Sequence, residues 1–434
     1  MNISKIIWSV AALFITATLK AQSDTEQAAP KYQKEIDKLI KNDQVSKAFQ
    51  FIKDFDQETI NNQIKLTEIE APPFKEHKFG KPKLFAQLLN EYGADSVWVD
   101  EIGNVIGLKK GTERQKVLAF AGHIDTVFPE GTDVTVKHSG DTLYAPGIAD
   151  DGRGLTTVLT VLKTLSENKI ETANDILFIG NMGEEGLGDL RGMKALFGED
   201  GPKIDAFISI DGTGVNRIVN GGLGSHRYKV TFNGPGGHSW GSFGLANPAH
   251  AMGEAISIFV KNADEFTKEG SKTSYNVGRM NGGTSVNSVP FSVWMEVDMR
   301  ALDPERLNTI DHILQEAIKE GVAQQNEIRR LGDPVTVDVE MIGDRPSGHT
   351  AKETPLVQRG IAANTAMGAK AVLGTGSTDA NIPISLGIPA ITLGGGGVAG
   401  GGHSLHEWFL NKEGYKGIQR TLLVVLAEAG MKTK

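Results

Sequence analysis

The sequence predicts an α/β fold in which a mixed, mostly parallel sheet is flanked by helices and carries an inserted α+β domain. Short apolar runs bounded by turn residues have the composition of buried strands: KVLAFAG (116–122), NDILFIG (174–180), DAFISI (205–210) and PAITLG (389–394). Helical patterns separate some of them, notably GLTTVLTVLKTLSEN after the first. This alternation predicts parallel strands covered by helices, and ligands bind such sheets beyond the carboxyl ends of the strands.

The middle of the chain has a different order of elements. Its predicted strands are HRYKVTF (226–232), TSYNVGRM (273–280), FSVWMEVDMR (291–300) and VTVDVEMI (335–342). Helices are predicted between them, from about Pro248 to Ala263 and along DPERLNTIDHILQEAIKEG, where Leu307, Ile310 and Leu314 share one face. The order β-α-β-β-α-β is that of the split ferredoxin-like unit, which we expect to be a second domain inserted into the first.

The remaining segments complete the predicted domain organisation. Residues 30–69 place apolar residues three and four apart, as in helices, and KPKLFAQLLNEYG predicts a helix ending at Gly93. The predicted units are a signal peptide (1–21), an N-terminal helical segment (22–69), a main domain in two parts (70–222 and 343–434) and the inserted domain (223–342).

The first residues have the pattern of a secretory signal peptide. Lys5 precedes the apolar run from Ile6 to Leu19, and Ala21 is a small residue at which cleavage fits. The run is short for a membrane span, and an uncleaved anchor is the alternative. We therefore expect an exported protein, periplasmic or secreted, that is not stably inserted in a membrane after cleavage.

Composition restricts the partners and the chemistry. The 434 residues are enough for two domains or more. The chain has no cysteine, which excludes disulfides, thiolate nucleophiles and Cys-ligated zinc. The net charge is −8 and no basic run with aromatic residues is present, so we expect no nucleic-acid partner.

Acidic and imidazole side chains follow the predicted strands and turns of the main domain. In chain order they are His123 and Asp125, Asp150 and Asp151, Glu184 and Glu185, Asp211, and His403 with His406 and Glu407 behind it. Each group alone is a weak signal, since an Asp in this position is often a turn residue or a helix N-cap, a role that fits Asp151. Together they would repel one another without a cation, and oxygen and imidazole ligands suit zinc, manganese or cobalt(II).

The motifs around these residues resemble those of the dinuclear zinc exopeptidases. They are GHIDTV, APGIADDGRG, GEEGLG, SIDGTG, GGH and HSLHE. The superfamily includes glutamate carboxypeptidase, peptidase T, aminoacylase-1 and the acetylornithine and succinyl-diaminopimelate deacylases. The resemblance runs from about residue 65 to the C-terminus. It implies a zinc exopeptidase-like catalytic domain, with the inserted domain (223–342) as a lid that is used for dimerisation.

The resemblance also implies the ligands of two divalent metal ions, zinc first, with manganese or cobalt as alternatives. It assigns His123 and Asp211 to one metal, Glu185 to the other, Asp150 to a bridge between them, and His403 as the last ligand. His406 is the local rival of His403, which lies four residues before a Glu, as in the terminal motif of the family.

Two neighbours of the ligands are assigned other work by the same resemblance. Asp125 would orient His123 and fix its tautomer, and Glu184 would be the general base. A water that bridges two cations has a lowered pKa. A nearby carboxylate can take its proton, which leaves hydroxide, and can pass that proton to the leaving amine. The expected activity is hydrolysis of an amide bond in a small peptide or an N-acyl amino acid, by an amino- or carboxypeptidase or a deacylase.

Four lid and rim residues resemble substrate-binding positions of that superfamily. They are His238, Asn287, Arg300 and Arg345. The matching lid histidine reaches the active site, often that of a partner subunit, and binds an oxyanion or the substrate. An arginine suits a free carboxylate through a two-pronged hydrogen bond, although a salt bridge within the protein is the alternative for both arginines.

Two other functions are compatible with parts of the sequence. GHSWG fits the G-x-S-x-G pattern of a serine hydrolase, with Ser239 as nucleophile and Asp379 and His403 as later partners. That motif has to follow a strand directly and open a helix, whereas here a glycine-rich stretch intervenes. A non-catalytic periplasmic metal or peptide binder is the second alternative, which the Glu184–Glu185 pair disfavours because a binder needs no base.

Overall fold

The computed structural model describes residues 25–432, so the predicted signal peptide lies outside the described residues. Among those residues, we find no helix whose length and apolar character would let it cross a membrane. The helices are α1 (Pro30–Ile40), α2 (Asp43–Asp54), α3 (Asp56–Thr67), α4 (Lys81–Glu91), α5 (Gly152–Glu167), α6 (Arg191–Leu196), α7 (Pro248–Thr267), α8 (Pro304–Glu327), α9 (Pro355–Ala366), α10 (Asn381–Ser385) and α11 (Tyr415–Ala429).

Within residues 25–432, the strands fall into two large sheets and two small ones. They are β1 (Ser96–Val99), β2 (Val105–Lys109), β3 (Val117–His123), β4 (Lys137–Ser139), β5 (Thr142–Tyr144), β6 (Asp175–Asn181), β7 (Ala206–Ile210), β8 (Arg217–Gly222), β9 (Gly224–Asn233), β10 (Gly237–His238), β11 (Thr273–Gly282), β12 (Ser288–Val289), β13 (Ser292–Ala301), β14 (Thr336–Arg345), β15 (Gly348–His349), β16 (Val372–Gly376), β17 (Ala390–Leu393), β18 (Val398–Gly400) and β19 (Trp408–Leu410).

The main sheet has the order β1-β2-β6-β3-β7-β17-β8-β15, with β16 paired to β8. Its centre, β6-β3-β7-β17, is parallel, whereas β1 and β2 at one end and β8 and β15 at the other pair antiparallel. The predicted α/β class with a mixed, mostly parallel sheet is therefore confirmed. The carboxyl ends of the four central strands lie at one edge, which is where the polar residues of the sequence motifs follow.

The central strands are largely apolar because both faces of the sheet are covered. Every residue of β6 is buried, and Phe120 and Phe178 pack edge to face with ring centroids 5.9 Å apart. Helices α5, α9 and α11 share one apolar core with the N-terminal helices α1–α4, and α6 and α10 contribute to the core that contains Phe207. Burial on two faces explains why these strands read as continuous apolar runs.

The inserted domain contains a four-stranded antiparallel sheet in the order β11-β13-β9-β14. Side chains of β13 alternate between buried and half-buried, and the buried ones pack with α7 and α8 on one face. Each of these helices is capped by the residue that precedes it, since the side chains of Asn247 and Asp303 accept backbone N–H groups of the first turns. This order is that of the predicted ferredoxin-like unit, and β14 runs on to Arg345, beyond the predicted strand end at 342.

A small sheet that the sequence did not predict joins two distant parts of the chain. It has the order β18-β19-β5-β4, and Trp408 of β19 pairs with Tyr144 of β5. Strand β5 leads into the loop that carries Asp150, and β19 follows the segment that carries His403. The sheet therefore fixes these two loops beside each other. Its strands are three residues long, which is too short for an alternating pattern to be recognised.

Candidate metal centre

The candidate centre lies at the carboxyl edge of the main sheet. His123 is the last residue of β3, Glu185 follows β6, and Asp211 follows β7. Asp150 and His403 come from the two loops that the small sheet joins. The structure thus brings all five predicted metal ligands to one edge, as the strand-end rule requires.

Asp150 is the centre of this cluster. Its Oδ1 lies 3.0 Å from Nε2 of His123, and its Oδ2 lies 3.1 Å from Nε2 of His403. Nε2 of His403 also lies 3.3 Å from Oε1 of Glu185. One ligand atom each of His123, Asp150 and Glu185 lie within 4.8 Å of one another, which is close enough to hold an ion. Each oxygen of Asp150 faces a different imidazole, an arrangement that fits a carboxylate shared by two cations.

The main chain of Asp125 orients His123, and its carboxylate does a different job. Nδ1 of His123 lies 2.9 Å from the carbonyl oxygen of Asp125 and 3.9 Å from its carboxylate. The carboxylate instead accepts the N–H groups of Glu184 at 3.0 Å and Glu185 at 2.8 Å. The carboxylate of Asp125 therefore binds two adjacent backbone amides, and it does not make the expected hydrogen bond to the ring of His123. Asp125 fixes the Glu184–Glu185 loop, and its catalytic assignment stays a prediction.

The charges of the site show why it suits cations. Burial opposes ionisation of Asp150, but hydrogen bonds from His123 and His403 hold its pKa below the usual range. Burial and the charge of Asp150 raise the pKa of Asp211 to about 6. Burial, reinforced by Asp125 and Asp211, raises that of Asp379 to about 7. Carboxylates crowded in this way resist ionisation unless positive charge lies among them, so the donor set fits a site for divalent cations.

Glu184, the predicted base, is buried beside Arg345. Oε1 of Glu184 lies 3.1 Å from Nη1 of Arg345, whose Nη2 donates to the carbonyl of Glu184. Nη1 also donates to Oγ of Ser377 at 3.0 Å. Burial raises the pKa of Glu184 well above its ordinary value, and Arg345 opposes this shift. Arg345 is thus engaged by the protein itself, as in the salt-bridge alternative, and its predicted contact with a substrate carboxylate stays a prediction.

The other predicted substrate-binding residues lie on the lid. His238 and Asn287 lie on neighbouring segments, since the N–H of Ser239 donates to the carbonyl of Asn287 at 2.9 Å. Both side chains are exposed, and Nδ1 of His238 accepts N–H groups of the following turn. Arg300 donates from Nε to Asp298 at 2.8 Å, which is the salt bridge that was its alternative. The structure places His238 and Asn287 together and Arg300 on a different strand.

The surroundings of Ser239 do not form a nucleophile elbow. It follows the two-residue strand β10 and lies in a turn, and the next helix, α7, starts only at Pro248. Asp379, the acid of that alternative, is buried and accepts from Asn181 at 2.8 Å. His403 contacts Asp150 and Glu185. Nothing in these contacts supports a serine triad.

Sequence reasoning missed the role of Glu407 and described Asp151 well. Glu407 is 1% exposed and accepts the N–H groups of Gly147, Ala149 and Asp150. Asp151 caps α5 by accepting from Gly154 and also accepts the N–H of His123 at 3.0 Å. The HSLHE motif contained Glu407, but a sequence pattern does not reveal backbone partners.

The fold and the site together define a metallohydrolase class, in which carboxylates and imidazoles converge at the strand ends of an α/β sheet. The family model described as Peptidase family M20/M25/M40 matches residues 119–427. The chain therefore belongs to this peptidase family and is a hydrolase, which confirms the resemblance drawn from the motifs.

Individual relatives agree with this placement. The uncharacterized protein YqjE of Bacillus subtilis is 28% identical over 303 residues, which are 67% of this chain and 76% of that protein. Hippurate hydrolase of Campylobacter jejuni is 28% identical over 286 residues, 60% of this chain and 70% of that protein. A solved tripeptidase from Staphylococcus aureus superposes with a TM-score of 0.69 at 23% identity, covering 86% of this chain and 98% of that chain. The last comparison shows the fold alone.

Proposed function

We propose that this protein is a dinuclear metallo-exopeptidase or deacylase that hydrolyses the amide bond of a small peptide or an N-acyl amino acid. The observation that carries the proposal is the position of Asp150, whose two oxygens lie 3.0 and 3.1 Å from two different imidazoles. This arrangement supports a carboxylate bridge between two cations. Nitrogen and oxygen donors suit zinc, with manganese or cobalt(II) as alternatives.

The ligands divide between two positions that share Asp150. His123 and Asp211 would complete one position, and Glu185 and His403 the other. When bound, the two cations would lower the pKa of a water molecule and polarise the scissile carbonyl. Asp125 supports this arrangement because it fixes the amides of Glu184 and Glu185.

Glu184 is the general base of the proposed reaction. It takes a proton from the attacking water and then gives it to the leaving amine. Burial raises the pKa of Glu184, which suits a group that has to be protonated and deprotonated in one cycle. Its neighbour Arg345 keeps the carboxylate in place between these steps.

The lid would supply contacts to the rest of the substrate. His238 is exposed beside Asn287 and is proposed to donate to the oxyanion, in the manner of a group outside the metal ligands. We also propose export to the periplasm or medium and a homodimer formed through the lid. The name of the related hippurate hydrolase supports an N-acyl amino acid as one class of substrate.

A substrate panel tests the proposed reaction and its direction. Dipeptides, tripeptides and N-acyl amino acids, each with free or blocked termini, would be incubated with the protein and analysed by mass spectrometry. We expect turnover of at least one member, loss of turnover in excess chelator, and recovery on addition of zinc, manganese or cobalt. The terminus whose blocking abolishes turnover identifies the chain end that is recognised. Unchanged turnover in chelator would exclude the proposal.

A further inference from the structure

Glu407 is a buried carboxylate whose partners are the backbone amides of the Asp150 loop. Its Oε1 accepts the N–H of Ala149 at 2.8 Å and of Asp150 at 3.0 Å, and its Oε2 accepts the N–H of Gly147 at 2.9 Å. The residue is 1% exposed. Three charge-assisted hydrogen bonds in a buried place hold a loop much more firmly than neutral ones. The carboxylate therefore sets the path of the backbone that ends in Asp150.

Glu407 also lies on the segment that carries His403. Its carbonyl oxygen accepts the N–H of Ala145 at 3.1 Å, and its own N–H donates to Ser404 at 3.2 Å. The next residue, Trp408, pairs with Tyr144 in the small sheet. Glu407 thus joins the loop of Asp150 to the turn of His403 through its side chain and its main chain. The distance between these two ligands depends on that connection.

The two halves of the centre differ in how far they depend on the connection that Glu407 makes. The side chain of His123 is 1% exposed and is held by the main chain of Asp125, on a strand of the central sheet. The side chain of His403 is 59% exposed, and its backbone has a φ of 61°. This left-handed conformation is uncommon for a non-glycine residue and persists where the surrounding structure holds it. The position with His403 is therefore the more open one and the one that its neighbours have to assemble.

We propose that Glu407 is a positioning residue that assembles the His403 side of the centre, so that one of the two cation positions depends on it far more than the other. Two of the three ligands on that side, Asp150 and His403, belong to the loops that Glu407 joins. On the other side only Asp150 does, since His123 ends β3 and Asp211 follows β7. This inference rests on the proposed dinuclear function and predicts unequal binding of the two ions.

The test is the Glu407→Gln variant, which keeps the size of the side chain. An amide group presents an N–H₂ donor in place of one carboxylate oxygen, so at least one backbone N–H loses its acceptor. Zinc and cobalt(II) binding to the metal-stripped full chain would be measured by titration calorimetry and by cobalt absorption. We expect the ion on the His403 side to bind about 10- to 100-fold more weakly, which is the range that supporting residues show around metal sites. The ion on the His123 side should keep its affinity. Hydrogen exchange at Gly147, Ala149 and Asp150 should become faster.

Two further variants make the outcome decisive. Glu413→Gln changes an exposed glutamate of the same segment, which contacts Lys416, and should leave both affinities unchanged. His403→Ala removes a ligand without touching the Glu407 contacts and should weaken the same ion as Glu407→Gln. Two ions bound with normal affinity by Glu407→Gln, or equal weakening of both ions, would overturn the inference. Failure of the unaltered protein to bind two ions would instead refute the proposed function.

Discussion

Replacing Glu184 by glutamine is expected to lower kcat by about 100- to 10,000-fold, which is the range that a positioned proton-transfer group contributes. Glutamine keeps an oxygen that can accept from Arg345, whose Nη1 lies 3.1 Å from Oε1 of Glu184, but it cannot take a proton from water. In the proposed arrangement Glu184 is not a metal ligand, and its Oε1 contacts Arg345, so the variant should retain its metal. Steady-state kinetics and elemental analysis of the same sample measure the two effects together.

The matched control for this variant is Glu199→Gln, which changes an exposed glutamate of the main domain and should leave kcat unaltered. Near-normal turnover by Glu184→Gln would show that another group acts as the base. Loss of metal together with loss of turnover would place Glu184 among the ligands. Because the two readouts separate these outcomes, the variant tests the role of the residue and not only its importance.

The second large effect is expected from Asp150→Asn. The amide has a single oxygen and no charge, so it cannot bridge two cations as we propose for the carboxylate of Asp150, which lies between His123 and His403. Loss of a supporting residue costs about 10- to 100-fold in metal affinity, and loss of the shared ligand should exceed about 100-fold for both ions on the same scale. Turnover should fall to background.

Asp141→Asn provides the control, because Asp141 is an exposed aspartate at the turn between β4 and β5. It should bind both metals normally and keep full activity. Asp150→Asn would contradict the account if it bound both ions as tightly as the unaltered protein, since the shared carboxylate would then be dispensable. Loss of one ion only would mean that Asp150 serves a single position.

The sequence located the candidate centre because a parallel sheet brings the carboxyl ends of its strands to one edge. His123 ends β3, Asp211 follows β7 directly, and Glu185 lies in the loop after β6, so the apolar runs were enough to place them together. The fold of the lid could be predicted equally well, since buried and half-buried residues alternate along β13 and α8 has a single apolar face. In these elements local pattern and tertiary burial agree, which makes a prediction from sequence possible.

The contacts that support the centre could not be predicted from the sequence in the same way. Asp125 and Glu407 accept backbone N–H groups from loops, and loop conformation is not written in hydrophobic periodicity. Arg345 reaches Glu184 across 161 positions of the chain, a separation at which no local pattern operates. The positions of charged residues in the sequence therefore indicated a site, whereas their hydrogen-bond partners required the fold.

The central claim is that Asp150 and its neighbours hold two divalent cations on which hydrolysis depends. The most direct measurement is the metal content of purified protein by mass spectrometry of its elements, before and after dialysis against chelator, with turnover measured on each sample. We predict two equivalents of divalent metal per chain, loss of turnover when they are removed, and recovery when they are restored. Protein that retains no divalent metal and turns over fully in chelator would contradict the account.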